Sequence, residues 1–418
     1  MDRRAEFPAL QMTPVQTARW RGVRFAHLIE SDGPGGAERM VASVAAGLQA
    51  AGSENIIVVP AAGEGWLARE LSGTGVLVEP FRLERPFSPT FARWLTDTLR
   101  RHRVALAHSH EFTMAVYGAW AARRAGVPHL FTMHGGRYYA GRLQRRIALR
   151  LAALASDSVV TVSKSLAHHL AQDLWIRPSR IVTIPNGVRA PQPVVHSSLR
   201  DELRLGSTDQ LVVAVGNLYP VKGHGYLLEA LALLAPRYPS LHVAIAGRGD
   251  LEERLRDRAC ALQVSDRFHL LGLRSDIGNV LAGANVFVLP SLSEGVPLAL
   301  LEAMLAGRPV VASAVGEVPT VLDGGRAGVM VPARDPAALA KALDTLLADP
   351  AEARRLGAAA QARATESYTF DVMMDRYLQL YTKMLRNHPD DRRSQGVRDG
   401  ERQPLPDDRA PGKGALVG

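Results

Sequence analysis

The chain of 418 residues contains a single cysteine, Cys260. An internal disulfide is thereby excluded, and no Cys/His cluster in the sequence reads as a zinc site. Aromatic residues are scarce, at 6%, and no aromatic-rich basic motif of the nucleic-acid-binding kind is present, so nucleic acid is not an expected partner. No uncharged apolar run reaches the length that crosses a bilayer. The opening MDRRAEFPALQMTPVQTARWRG has no apolar core of signal-peptide size. A reducing cytoplasm is the expected compartment. Neither G-x-G-x-x-G nor G-x-x-x-x-G-K-[ST] occurs, which removes the two commonest phosphate-binding fingerprints and argues against a nicotinamide dehydrogenase.

What is abundant is hydrophobic residues, at 47%, in a chain too long for one ordinary core; two domains are expected. The net charge of +9 is uneven: residues 1–197 hold 24 Lys and Arg against 14 Asp and Glu, and residues 198–386 hold 20 against 21. A basic first half suits an anionic membrane face or an anionic ligand.

Short β-branched runs alternate with helical patterns along the whole chain. In the first half they are 24–30, 55–60, 75–80, 104–109, 128–133, 158–163 and 180–185; in the second, 210–216, 241–247, 267–272, 285–290, 309–314 and 327–332. Such alternation predicts βαβ units and parallel sheets covered on both faces, hence an α/β chain of two Rossmann-like, doubly wound domains facing across a cleft. The Pro-, Ser- and charge-rich stretch 186–209 reads as the boundary. The expected organisation is a flexible N-terminus (1–22), an acceptor domain (23–195), a donor domain (196–366), a C-terminal helix (367–386) crossing back to the first domain, and a disordered tail (387–418).

Ligands of open parallel sheets bind where strands end and helices begin. SDGPGGAERM (31–40) places Gly35 and Gly36 at such a point, although a glycine-rich turn alone reads equally well as a tight turn. AHSHEF and TMHGGRYY place His108, His110, Glu111, His134 and Tyr138 at neighbouring strand exits. VGNLYPVKG brings Gly216, Asn217 and Lys222 to another, where a lysine at a helix start suits phosphate. Gly247, Arg248 and Gly249 follow one later strand, and Gly272 and Arg274 the next. In PSLSEGVPLALLEAMLAG, Glu294 falls in a loop and Glu302 more than a turn inside a helix that Pro297 opens and Gly307 ends. Glu302 sits among Leu300, Leu301, Ala303 and Met304; a carboxylate there needs a partner, and a pair of sugar hydroxyls would serve.

Together these segments resemble the retaining glycosyltransferases of family 4, which have the GT-B fold. GGAER, HSHEF, TMHGG, IPNGV, VGNLYPVKG, AGRGD and the Glu294-x7-Glu302 spacing carry the resemblance, over roughly residues 24–385. It implies transfer of a sugar from a nucleotide-diphosphate sugar to a sugar or lipid-linked acceptor, with retention, in envelope or extracellular polysaccharide or glycolipid synthesis. It implies no cofactor and no bound metal. It places Glu302 on the ribose and Lys222 on the diphosphate, with Gly216, Asn217, Val296, Pro297 and Leu298 beside them. Gly272 and Arg274 face the base, and Glu294 and His134 the reacting sugar. Gly35 and Gly36 approach the diphosphate or the acceptor, and His110, Glu111 and Tyr138 lie on the acceptor side. Asn217 stands where the family usually has arginine, and Arg248 is the candidate replacement cation. Glu317 and Thr320 stand in place of the second glycine and the acid of a family Gly-Gly-x-x-Glu, and Asn285 in place of a common aspartate. A GT-B epimerase or phosphorylase and a non-catalytic partner subunit are the alternatives. The basic segment 137–156 is the candidate for contact with an anionic membrane, on the cytoplasmic face.

Overall fold

The computed structural model describes residues 20–388 apart from 64, 136–138, 192–193 and 195–196. Each of the thirteen apolar runs forms a strand. The first seven are β1 (Arg24–Leu28), β2 (Glu54–Pro60), β3 (Leu77–Phe81), β4 (Leu106–His110), β5 (His129–Met133), β6 (Ser158–Thr161) and β7 (Ile181–Thr183). They form one parallel sheet in the order β3-β2-β1-β4-β5-β6-β7. The other six are β8 (Gln210–Val215), β9 (Leu241–Ala246), β10 (Phe268–Leu270), β11 (Val286–Leu289), β12 (Val310–Ser313) and β13 (Val329–Val331), in the order β10-β9-β8-β11-β12-β13. Parallel strands covered on both faces need no polar alternation, which is why they read as continuous Val, Ile, Leu and Ala.

Helices in chain order are α1 (Gly36–Ala50), α2 (Trp66–Glu70), α3 (Pro89–Arg101), α4 (Glu111–Ala125), α5 (Leu143–Ala155) and α6 (Lys164–Leu174), then α7 (Leu199–Glu202), α8 (His224–Leu234), α9 (Glu252–Ala261), α10 (Ile277–Gly283) and α11 (Leu298–Leu305), and finally α12 (Val318–Val321), α13 (Pro336–Ala348), α14 (Pro350–Ser367) and α15 (Phe370–Asn387). Helix α15 does cross back. It buries Phe370, Met373, Met374, Tyr377, Leu378, Tyr381 and Met384 in one core with Phe25, Met40, Val44, Leu106 and Leu130 of the first sheet's layer. Where the chain first leaves the first domain and where it returns to it, the two segments are bonded: Val188 N–H donates to Tyr368 O at 3.0 Å and Phe370 N–H to Val188 O at 2.9 Å. The short α7 packs Leu199 against Leu211, Val213 and Val280 of the second domain.

Trp20 is 3% exposed and packs against Phe25 with ring centroids 5.6 Å apart and planes tilted by 52°, so ordered packing starts inside the segment expected to be a flexible terminus. Residues 1–19 and the tail beyond 388 lie outside the described residues.

Candidate functional site

Both sheets reverse their winding between two central strands, and a crevice opens outside the carboxyl ends there. In the second sheet the reversal lies between β8 and β11. The loop after β8 carries Lys222 and the loop after β11 carries Ser291 and Glu294. Lys222 Nζ donates to Glu294 Oε1 at 2.8 Å, and Ser291 Oγ donates to the same oxygen at 2.6 Å. Leu292 N–H donates to Val221 O at 2.7 Å and ties the loops. Gly223, at φ +67°, lets them close, since a Cβ there would overlap the Pro290 carbonyl. Gly316, at φ +54°, likewise admits the Glu294 backbone, and a side chain would strike its carbonyl oxygen.

A cavity of about 300 Å³ follows. From the second domain it is lined by Gly216, Asn217, Lys222, Arg274, Glu294, Val296, Pro297, Leu298 and Glu302, and from the first by Gly35, Gly36, Arg39 and His134. Residues from both domains thus line one space. Glu302 projects into it from α11, and burial pushes its carboxyl up to about 7, opposed by the positive charge of Arg39. Pro297 is the N-cap of α11 rather than its first turn; its side chain has no acceptor, so the first-turn N–H groups of Leu298 and Ala299 are left uncapped at the cavity wall.

Other expectations need correction. Arg248, the candidate replacement cation, is exposed and is not among the described lining residues. Gly272 is not among the described lining residues; its carbonyl accepts from Gly247 N–H at 2.8 Å, and Leu273 stands in the wall beside Arg274. Arg274 is in the wall but is engaged by Asp276 at 2.8 Å and Glu202 at 2.7 Å. This bonding holds the guanidinium further above its usual range and the Asp276 carboxyl down to about 2.

On the first sheet the reversal lies between β1 and β4, where His27 pairs in register with His108. His108 and His110 are not in a loop after the strand but inside β4, two residues apart and therefore on one face. His110, expected on the acceptor side, is 1% exposed. Its Nδ1 shares a hydrogen bond of 2.9 Å with His134 Nε2, so it orients the imidazole that lines the cavity. Glu111 opens α4 at φ +64°, an unusual conformation for a residue with a side chain, and accepts from His134 N–H at 3.1 Å. Burial pushes its carboxyl up to about 8 and pushes His134 down to about 4. Tyr138 lies outside the described residues.

Ligand atoms of His27, His108 and His110 come within 4.8 Å of one another, a grouping spread over strands far apart in sequence. His108 spends both nitrogens, on Tyr381 Oη and Thr132 Oγ1, each at 2.7 Å, so it is no free metal ligand. Its role is to pin α15 to the sheet. Glu317, in place of a family glycine, reaches the other domain and accepts from Ser165 N–H at 3.1 Å, in the first turn of α6.

Sequence reasoning missed Arg39, Asn186 and Ser291. Asn186 Nδ2 donates to Val296 O at 3.3 Å across the seam. Arg39 was visible within GGAER, but nothing local says that it faces the second domain.

A family model described as Glycosyltransferase Family 4 matches residues 34–190, and one described as Glycosyl transferases group 1 matches 196–363. A phosphatidyl-myo-inositol mannosyltransferase of Mycobacterium leprae is 31% identical over 84% of this chain and 93% of its own length. An alpha-maltose-1-phosphate synthase of Mycolicibacterium smegmatis is 29% identical over 67% of this chain and 79% of its own length. Anabaena HepE in complex with UDP shares the fold with a TM-score of 0.76 at 21% identity, covering 86% of this chain and 100% of that one.

Proposed function

The chain belongs to the glycosyl transferases group 1 and is a glycosyltransferase acting with nucleotide-sugar donors, and from that premise we propose that it retains the anomeric configuration and works on a lipid-linked acceptor of the cell envelope. The observation that carries the donor reading is the bonded pair Lys222–Glu294 at the switch point, with Glu302 and the open N-terminus of α11 in the same cavity. Glu302 accepts the two ribose hydroxyls. Lys222 and the first-turn N–H groups of α11 take the diphosphate and stabilise the charge that develops on it as the glycosidic bond breaks. Glu294, held by Lys222 and Ser291, and His134, held by His110, face the transferring sugar.

The test is a thermal-shift panel of UDP-, GDP- and ADP-sugars, since a ligand that binds only the folded state raises its melting temperature. One donor should shift wild type, and Glu302→Ala should lose both the shift and transfer; full transfer by that variant would sink the assignment. NMR of the product anomer tests retention.

The acceptor reading draws on α5. Leu143, Ile147, Leu151 and Leu154 are 45–61% exposed along one side of it, with Trp175 at 59% nearby. Arg146 and Arg150 of this helix are not free to meet lipid: Arg146 donates to Asp173 O at 2.9 and 3.0 Å, and Arg150 to the carbonyls of Leu174 and Trp175. The apolar ridge, in a basic half-chain, is thus the docking element for an anionic membrane. The relative named for phosphatidyl-myo-inositol supports a lipid acceptor. No helix among the described residues is long and apolar enough to cross a membrane. Leu151→Glu with Leu154→Glu should abolish sedimentation with phosphatidylglycerol vesicles; unchanged binding would refute this face.

A further inference from the structure

The cavity has three cationic side chains among its described lining residues: Lys222, Arg274 and Arg39. Two are neutralised. Lys222 is paired with Glu294, and Arg274 with Asp276 and Glu202. Arg39 differs. Glu302 and Glu70 feel its charge, but neither is bonded to it among the described ion pairs. It stands on the fourth residue of α1 and is half-buried in the wall supplied by the first domain.

Its surroundings are positive for a second reason. The N-terminus of α1 at Gly36 approaches Leu298, the first residue of α11; a Cβ on Gly36 would lie 3.9 Å from Leu298 Cδ1. Two helices of 15 and 8 residues from opposite domains thus bring their N-terminal residues to the wall of one cavity. Each carries about half a positive charge at that end, with unpaired N–H groups. The Glu38 carboxylate beside Gly35 and the Glu302 carboxyl in the cavity offset part of this positive field, and the remainder favours an anion between the two helix ends.

We propose that Arg39 is the diphosphate's cation from across the cleft: its guanidinium reaches from α1 to the same phosphates that Lys222 and α11 hold from the other domain. The proposal rests on the nucleotide-sugar reading above. A guanidinium presents a fork of donors that fits phosphate oxygens two at a time. The diphosphate then joins the domains electrostatically, so the first domain contributes to donor affinity through the phosphates and not through the nucleoside.

Isothermal titration of wild type, Arg39→Gln and Arg39→Lys with UDP, GDP and ADP and with the matching nucleosides separates the cases. Arg39→Gln should weaken the preferred nucleoside diphosphate by roughly 10- to 100-fold, the scale of a lost charge-assisted bond. It should leave the nucleoside unchanged and make diphosphate binding less sensitive to salt. Arg39→Lys should recover part of the loss. Wild-type diphosphate affinity in Arg39→Gln overturns the proposal, and so does an equal loss for nucleoside and diphosphate in both variants. Wild-type protein that binds none of the three diphosphates overturns the nucleotide-sugar reading instead.

Discussion

The two sheets wind alike and open their crevices at the same topological point, yet the two crevices are chemically opposite. The crevice of the second domain is built from formal charges held in pairs: Lys222 with Glu294, and Arg274 with Asp276 and Glu202. That of the first domain is built from buried imidazoles. Burial pushes His27 and His134 down to about 4 and His108 and His110 well below their ordinary value, so all four are neutral near pH 7. Its acid, Glu111, is pushed up to about 8. The fold fixes where a ligand lies, and the side chains fix what it is. A charged leaving group suits the first kind of wall, and hydroxyl groups in need of oriented neutral partners suit the second.

The sharpest way to break this contrast is to remove its principal cation. Lys222→Ala leaves Glu294 with Ser291 alone and should lower kcat/KM by at least about 100-fold in initial-rate assays, the scale of a lost electrostatic stabiliser. A variant close to wild type would erase the distinction. His134→Ala should act differently, lowering kcat by about 10- to 100-fold while nucleotide affinity, read by titration, stays put. An equal loss of nucleotide binding would place the imidazole on the donor side. A smaller effect comes from Glu302. Its carboxyl, near 7 in the free protein, must be ionised to accept two hydroxyls, so nucleotide binding should weaken as pH falls below about 7. Glu302→Gln should bind with little pH dependence, and a persisting slope would assign the titration elsewhere.

The smallest effect concerns stability. Below the ordinary histidine value of 6.5, the unfolded chain takes up protons that the folded state refuses at His27 and His134. Stability from these groups is present above 6.5 and is lost as pH falls toward 4. The melting temperature should fall over that range. His27→Leu, which removes this buried imidazole, should flatten the fall; an unchanged acid limb would show that His27 does not contribute to it.

The strands were legible because buried parallel strands are local apolar runs, and Lys222, Glu294 and Glu302 because they follow those runs at strand exits. The misses share a cause. Arg146 and Arg150 look like free surface charge in an amphipathic segment, yet backbone carbonyls 24 to 27 residues away capture them. Arg274 and Arg248 look alike as arginines after strands, yet only one points inward. Glu317 bonds across the seam to Ser165, 152 positions away, and Arg39 shares the cavity wall with Glu302 of the other domain. Periodicity carries no information about such pairings.

The returning helix α15 has a consequence for how the molecule is made. Synthesis runs from the N-terminus, and domains commonly fold in that order as they emerge. Here the face of the first sheet that carries Phe25, Leu106 and Leu130 takes its cover from Met373, Tyr377 and Tyr381, nearly 200 residues beyond β7. The first domain to leave the ribosome is therefore the last to be completed: its apolar face stays open until the second domain has been translated in full and α15 has emerged behind it.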